Sequence, residues 1–258
     1  MHAIASQSTT STAAHTATRP ATAVRQGNRT VVRLGFWSAV LTSVLSAAWL
    51  VAQFTQPLIA PLPEWTGTAA SVGAFDALHM LPLIPSLPLV VAFVVLLACL
   101  YLYAPADGKA YALGALSIGL IYAAMATINY NIQLVSVRTS LQAGETAGLE
   151  MFLLANPHSL TMALANSYVY MSLAMLFAGL VFRGARLANW TRWLLVAAGL
   201  AAPLQLAWTM FDVPIAGLLS VVPWALGAVV GSALVAVIFR RAGRIPTDSD
   251  AFAGAEGR

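Results

Sequence analysis

Two histidines and two aspartates are the side chains best suited to acid–base chemistry or metal binding near the apolar runs of this chain. Asp76 and His79 are three residues apart and would share one face of a helix. His158 follows an Asn-Pro pair, and Asp212 ends an apolar run. Carboxylates and imidazoles exchange protons and ligate metals. No compact motif such as HExxH joins these residues, so we predict no metal and no cofactor, and interfacial polar residues remain the simpler interpretation.

Five side-chain amides lie inside apolar runs, where each would have to leave water. An unpaired amide in hydrocarbon costs several kcal/mol, so such groups need partners. Asn129 and Gln133 are four residues apart and predict one helix face shared with Tyr122 and Ser136, with Asn131 on the opposite side. If the helices meet, the amides predict a polar, ligand-binding cavity that also takes in Asp76, His79, His158 and Asp212. The five amides are Asn129, Gln133, Asn166, Gln205 and Gln53.

Helix packing is the alternative explanation of these polar side chains. In membranes, Ser, Thr, Asn and Gln bond across helices, and small residues let helices approach closely. Gly227 and Gly231 in GAVVG fit such a contact. The first apolar run repeats polar or aromatic residues at helical steps, namely Ser38, Thr42, Ser46, Trp49 and Gln53. The sequence leaves binding and packing both open.

The composition places these residues in a membrane protein. Of the 258 residues, 59% are hydrophobic and only 9% are charged, and the mean hydropathy is +0.79. The net charge of +4 does not indicate nucleic-acid binding, because the arginines lie in short flanks of apolar runs. The single Cys99 excludes a disulfide framework within the chain, and Lys109, outside the apolar runs, excludes a buried retinal Schiff base. Phosphate-binding loops, GxSxG elbows and CxxC motifs are absent from the sequence.

Six apolar runs are long enough to cross about 30 Å of hydrocarbon as helices of about 20 residues. They do not alternate as strands would, and a helix satisfies its own backbone in lipid. We therefore predict an all-α, polytopic bundle of six transmembrane helices. The predicted spans are 34–55, 79–103, 111–135, 159–182, 193–212 and 215–239.

Basic residues predict the topology of the bundle. If the N-terminus is cytoplasmic, an even number of spans returns the C-terminus to the cytoplasm, and only Arg138 of the 13 basic residues lies outside. We therefore predict N-in and C-in topology in the plasma membrane of a bacterium. The cytoplasmic set would be Arg19, Arg25, Arg29, Arg33, Lys109, Arg183, Arg186, Arg192, Arg240, Arg241, Arg244 and Arg258.

The domain organisation is simple. We predict a disordered cytoplasmic tail over 1–30, a transmembrane domain over 31–244 and a second cytoplasmic tail over 245–258. The acid-free, Arg-containing start of the chain also fits a transit peptide. Two outer loops exceed a minimal connection: 56–78 predicts a partly ordered cap, and 138–158 predicts an interfacial helix.

The segments INYNIQLVSVRTSLQAGE, LLANPHSL and ALANSYVYMSLAMLFAGLVF resemble those of uncharacterised bacterial six-helix integral membrane proteins. The resemblance covers roughly residues 111–200. It implies a membrane location and assigns no activity, so no catalytic residue follows from it.

Three classes of function fit the sequence. The first is a carrier or sensor that binds a small molecule or lipid in a polar cavity near the outer face. The second is an accessory or structural membrane subunit, and the third is a membrane-embedded enzyme acting on a lipidic substrate. The expected partners are the lipid bilayer and such a ligand, not nucleic acid, and the sequence does not define an oligomeric state.

Overall fold

The computed structural model describes residues 21–211 and 213–244, with side chains from Arg29 onward. Within these ranges all regular secondary structure is helical. Six helical runs are long and apolar enough to cross a membrane, which confirms the all-α, six-span prediction. In chain order, spans 1 to 6 are Arg29–Ile59, Ala77–Tyr103, Ala106–Gln142, Leu160–Val181, Arg186–Phe211 and Pro214–Ala242.

The α-helices do not coincide one to one with the spans, because several spans contain more than one helical segment. Short 3₁₀ turns at Ala77–Met80, Ala106–Gly108 and Glu150–Phe152 and π-helical segments at Ile132–Val137 and Leu226–Gly231 complete the helical structure. The α-helices are α1 Ala21–Ile59, α2 Thr68–Gly73, α3 Leu83–Tyr103, α4 Lys109–Asn131, α5 Arg138–Gln142, α6 Leu160–Ala165, α7 Ser167–Val181, α8 Arg186–Leu200, α9 Ala202–Phe211, α10 Pro214–Ala225 and α11 Ser232–Ala242.

Besides span 2, which opens with a 3₁₀ turn and a break before α3, four spans are irregular along their length. Spans 3 and 6 change to π geometry, span 4 breaks at Asn166, and span 5 breaks at Ala201. Pro223 lies three residues before the π segment of span 6, and its ring removes a backbone donor and crowds the preceding turn. Asn166 caps both α6 and α7. These irregularities fall near the polar residues described below.

The spans pack as a closed series in which each contacts its neighbour in sequence. Span 6 returns to pack on span 1, through α11 and its preceding π segment against α1. The interior is filled by buried side chains such as Leu97, Met171, Met175, Trp224 and Phe239. This order brings the polar stripe of span 1 close to spans 2 and 6.

The bundle has two chemically different ends. One end, the basic face, carries Arg33, Lys109 and the arginines that flank spans 4, 5 and 6. The other end, the loop face, carries segments 60–82 and 143–159 and the basic residue Arg138. The structure contains no membrane, so which face is cytoplasmic stays a prediction.

The structure can be compared with the predictions for the two tails and the two long loops only where it describes those residues. Residues 21–30, assigned above to the N-terminal tail, form the start of α1, whereas residues 1–20 and 245–258 lie outside the described part of the chain. Loop 56–78 contains the short α2 and one 3₁₀ turn. The interfacial helix expected in 138–158 is wrong beyond α5, because Gly144 and Gly148 have φ of 72° and 76° and turn the chain.

Glycines allow close contacts between spans 4, 5 and 6. A Cβ at Gly199 would lie 2.8 Å from the Cα of Leu176, and a Cβ at Gly179 would lie 2.9 Å from the carbonyl oxygen of Arg192. Gly227 lies against Ala198 in the same way. Gly231 faces the Leu195 side chain, so both glycines of GAVVG lie at a helix contact.

We expect Gly199→Ala to destabilise the protein, because the added methyl group would meet the backbone of Leu176. Overpacking of this kind costs about 1–3 kcal/mol. Gly73→Ala is the matched control, since nothing lies within 4 Å of a Cβ at Gly73. Thermal unfolding of both variants in one detergent measures the effect, and equal melting temperatures would contradict the close contact.

Candidate functional site

Gln133 joins three separate parts of the loop face. Its side chain is 0% exposed in span 3. Its Nε2 donates to the carbonyl oxygen of Phe152 at 2.6 Å and to Oγ1 of Thr161 at 2.7 Å. Thr161 Oγ1 donates in turn to the same carbonyl at 2.9 Å. The amide therefore fixes span 3, span 4 and the 143–159 loop to one another.

The other half of this amide has no partner. Gln133 Oε1 is buried and accepts no hydrogen bond from any residue that the structure describes. A buried acceptor left in this state is unfavourable by about 1–3 kcal/mol. Such an atom in a membrane protein indicates either local strain or a polar group that binds there.

The π segment of span 3 determines which residues share the buried helix face with Gln133. A π turn contains more residues than an α turn, so the buried face moves on by one position. Val137 and Leu141 are buried and Ser136 is exposed, although the α-helical spacing placed Ser136 on the face of Gln133. The expectation for Ser136 is therefore wrong.

A small cavity, the loop-face pocket, lies beside Gln133. Its volume is about 20 Å³, and it is lined by Ser71, His79 and Gln133 among apolar side chains that include Leu62 and Phe75. About 10–15 Å³ is needed to hold one water molecule. Ser71 Oγ is also buried without a hydrogen-bond partner in the described residues. The pocket therefore has room for about one hydroxyl-sized group, and three of the side chains that line it are polar.

Asp76 and His79 form a reciprocal cap on the 3₁₀ turn that opens span 2. Asp76 Oδ1 accepts from the backbone N–H of Leu78 at 2.8 Å, and the backbone N–H of Asp76 donates to His79 Nδ1 at 3.2 Å. A neutral imidazole that accepts at Nδ1 carries its proton on Nε2. His79 is buried beside the pocket, whereas Asp76 is exposed. The two residues are neighbours as predicted, in a structural cap.

Asn129 lies one helical turn deeper than Gln133 in span 3. It is 4% exposed, and its Oδ1 has no partner among the described residues. Asn131, two residues later, is exposed and donates only to the Thr127 carbonyl of its own helix at 2.8 Å. The predicted opposition of these amides around the helix is confirmed.

Aromatic side chains from four spans meet in the interior of the bundle. The aromatic cluster consists of Trp49, Tyr122, Tyr168 and Trp224. Ring centroids are 4.9 Å apart for Trp49 and Trp224, 5.1 Å for Trp49 and Tyr168, and 5.6 Å for Tyr168 and Trp224. Tyr122 lies 6.1 Å from Tyr168. The Tyr130 and Tyr168 hydroxyls share a hydrogen bond of 2.9 Å at the edge of this cluster.

Among the described residues, the remaining predicted amides form no hydrogen bond with Gln133. Gln205 is half-buried and accepts from Ser172 Oγ at 3.2 Å, which links spans 5 and 4. Asn166 is half-buried at the break of span 4, and in the described part of the chain its side chain makes no hydrogen bond to Asn129 or Gln133. Gln53 is exposed, and its place on the buried face of span 1 is taken by Gln56, which donates to the carbonyl of Ala60.

The last two candidates are His158 and Asp212. His158 is exposed, and its backbone N–H donates to Asn156 Oδ1 at 3.0 Å. Asp212 lies outside the described residues. Within residues 29–211 and 213–244, no three His, Cys, Asp or Glu side chains come close enough to hold a metal ion.

Four contributing residues were absent from the sequence prediction. Ser71 lies in the short α2 and Asn156 in the 143–159 loop, and their positions depend on how these segments fold over the bundle. Thr161 lies at the start of span 4, where nothing in the sequence distinguishes it from an ordinary helix residue. Only Gln56 had a signal, because a helix face followed in steps of three and four from Trp49 includes it.

Comparison with protein family models, curated proteins and solved structures gives no match for this chain. The resemblance to bacterial six-helix membrane proteins therefore supports no family assignment. A function can therefore be inferred only from the geometry of the site. The groups that converge on the pocket are an amide, a hydroxyl and an imidazole, which favour hydrogen bonding to a neutral polar group.

We expect Gln133→Leu to lower the free energy of unfolding by about 1–3 kcal/mol, because the two bonds to Phe152 and Thr161 are lost. Asn131→Leu makes the same chemical change two residues away, where the side chain is exposed toward lipid and bonds only to its own helix. That variant should be neutral or slightly stabilising. Thermal unfolding in nanodiscs distinguishes the two, and similar effects of both variants would contradict the bridging role of Gln133.

Proposed function

We propose that this chain is a multi-pass membrane protein that binds a neutral, hydroxyl-bearing amphiphile at the loop-face pocket. The observation that carries the proposal is Gln133 Oε1, a fully buried acceptor without a partner among the described residues, on a side chain that lines the cavity. The amide is held in place through its Nε2, so its oxygen is preorganised for a ligand.

The polar atoms of the pocket match a hydroxyl group. Gln133 Oε1 accepts the hydroxyl proton, the Nε2–H of His79 donates to the hydroxyl oxygen, and Ser71 Oγ can do either. None of the lining residues is Asp, Glu, Lys or Arg. A charged headgroup would therefore be buried without a counter-ion, which is strongly unfavourable.

The small size of the pocket limits which part of the ligand can enter it. Sites for drug-sized molecules are roughly 300–1,000 Å³, far above the roughly 20 Å³ of this cavity. Only the polar tip of a ligand fits, and the lining outside Ser71, His79 and Gln133 is apolar. A lipid or lipid-like alcohol, with its hydrocarbon part between the loops and the bilayer, satisfies both conditions.

An accessory or structural role is the second candidate. It is favoured by the close glycine contacts between spans 4, 5 and 6, which make a tightly packed interior. An enzymatic role has less support, because Asp76 is engaged in a cap and His158 is exposed away from the pocket.

We place the loop face outside and the basic face in the cytoplasm of a bacterium, because Lys and Arg concentrate at the basic face. Reporter fusions after Lys109 and Arg186 should read cytoplasmic, and a fusion at Glu145 should read external. Inversion of any one of the three would reject this orientation without affecting the binding proposal.

A matched pair of ligands tests the binding proposal. Dodecan-1-ol and its methyl ether share an apolar chain, but only the alcohol can donate to Gln133. A net hydrogen-bond contribution of about 0.5–1.5 kcal/mol corresponds to a roughly two- to twelvefold tighter binding of the alcohol. Ligand-dependent shifts of the melting temperature in phosphatidylcholine nanodiscs measure the affinities.

Variants of the pocket give the controls for this experiment. Ser71→Ala removes one unpaired hydroxyl and no hydrogen bond, so it should weaken alcohol binding while leaving the unliganded melting temperature nearly unchanged. Asn131→Leu should bind like the wild type. Equal affinities of the wild-type protein for the alcohol and the ether would overturn the proposal.

A further inference from the structure

Two arginines and two tryptophans lie together near the start of α8, at the basic face of the bundle. Arg186 and Trp190 are four residues apart and Trp193 follows three residues later, so these three share one helix face. Trp190 and Trp193 are each 57% exposed. Arg192 places its guanidinium carbon 5.5 Å from the ring centroid of Trp193. We infer that these four residues, the span 5 basic site, bind the phosphate headgroup of an anionic phospholipid.

Arg192 lies at the border between the packed and the exposed sides of span 5. Its backbone packs on span 4, because a Cβ at Gly179 would be 2.9 Å from the Arg192 carbonyl oxygen. Its side chain is half-buried, and its Nε is buried without a hydrogen-bond partner among the described residues. The guanidinium is thus partly removed from water. A cation in this state is unfavourable unless a counter-ion lies next to it.

The protein itself supplies no such counter-ion in the part of the chain that the structure describes. Asp107 is the one described acidic residue at the basic face, since the others lie in segments 60–82 and 143–159. Its carboxylate pairs with Arg183 at 3.0 Å. Lys109 is satisfied differently, by donating to the carbonyl oxygens of Tyr101 and Leu102. The arginines of the span 5 basic site therefore need an anion from outside these residues.

The chemistry of the two arginines matches a phosphate group. A guanidinium stays charged, and its planar fork donates two parallel hydrogen bonds to phosphate oxygens. The contact with the Trp193 ring stabilises the Arg192 cation further and restricts its orientation. A zwitterionic headgroup brings its own cation to the phosphate, whereas the headgroup of an anionic phospholipid does not. The site should therefore prefer a lipid with net negative charge.

The tryptophans and the position of Arg192 along the helix favour a lipid over a soluble anion. Arg192 follows Arg186 by six residues, which is roughly 9 Å at a rise of about 1.5 Å per residue. Arginines near the end of a spanning helix extend to the headgroups while their stems stay on apolar surface. Exposed tryptophans are typical of the same interfacial level. Acyl chains against Trp190 and Trp193 would place a lipid phosphate beside both arginines, and a free phosphate gains nothing from the rings.

A lipid titration of the purified full-length protein in dodecylmaltoside micelles tests the inference. Phosphatidylglycerol and phosphatidylcholine with identical acyl chains are added separately, and the shifts of the melting temperature give their apparent affinities. The attraction of one arginine for an anionic headgroup predicts a preference of about fivefold or more for phosphatidylglycerol. Equal affinities for the two lipids would overturn the inference, as would an equal stabilisation by inorganic phosphate.

Arginine variants locate the preference on the protein. Arg192→Gln should reduce the preference for phosphatidylglycerol by about fivefold. Arg186→Gln, at an exposed position that packing does not constrain, should act in the same direction. Arg138→Gln is the matched control, because it makes the same charge change at an exposed arginine of the loop face. An equal loss of preference in Arg138→Gln would indicate diffuse charge attraction and reject the site.

The span 5 basic site does not depend on the binding of an alcohol at the loop-face pocket. The two sites share no residue and lie at opposite ends of the bundle. Ser71→Ala should leave the preference for phosphatidylglycerol unchanged, and Arg192→Gln should leave the preference for dodecan-1-ol over its ether unchanged. Failure of either binding test therefore leaves the other standing.

Discussion

Every polar group within the hydrocarbon layer must be satisfied inside the protein, and this constraint organises the whole chain. The backbone meets it by forming helices, which explains why the regular structure of residues 21–211 and 213–244 is helical. Ser38 and Thr42 of span 1 meet it by donating to carbonyls of their own helix, those of Leu34 and Ser38. Ser43 meets it across the bundle, by donating to the Val229 carbonyl in the π segment of span 6 at 2.8 Å.

The same constraint gives Gln133 its structural importance. One side-chain amide bonds to a loop carbonyl and to a threonine of another span, and these bonds hold the loop face together. The carbonyl of Phe152 ends the 3₁₀ turn Glu150–Phe152 and accepts from both Gln133 and Thr161. The amide oxygen that remains unpaired is a consequence of this geometry, because both donor bonds come from Nε2. The structural role of Gln133 and the ligand-binding role proposed for it therefore fall on one side chain.

Hydropathy and helical spacing were sufficient to predict the spans and the inward direction of Asn129 and Gln133. Both predictions depend on local sequence. A run of about 20 apolar residues predicts a spanning helix, and a step of four residues predicts a shared helix face. The error at Ser136 has a different origin. A π segment shifts the face by one residue, and nothing in IQLVSV distinguishes it from an α-helix.

Gln53 and Gln56 show a second limit of the sequence argument. Both continue a helical stripe from Trp49, at steps of four and seven, and the packing of span 1 against its neighbours selects Gln56 for burial. Ser71 and Thr161 depend on tertiary contacts in the same way. Local spacing predicts which residues share a face, whereas the choice between adjacent faces is made by the partner helices.

For the ligand binding proposed above, the close contacts between spans 4, 5 and 6 favour a sensor over a carrier. Spans 4, 5 and 6 meet through Gly179, Gly199 and Gly227, where backbones are too close for a side chain, so sliding these helices would disrupt many contacts at once. The segments over the loop-face pocket are held in part by side-chain hydrogen bonds, among them those of Gln133 and Asn156 to loop carbonyls. A ligand that replaces or reinforces these bonds changes the loops at lower free energy than it changes the spans. Occupancy of the pocket would then be communicated along the loop face, while the bundle beneath it keeps the same arrangement.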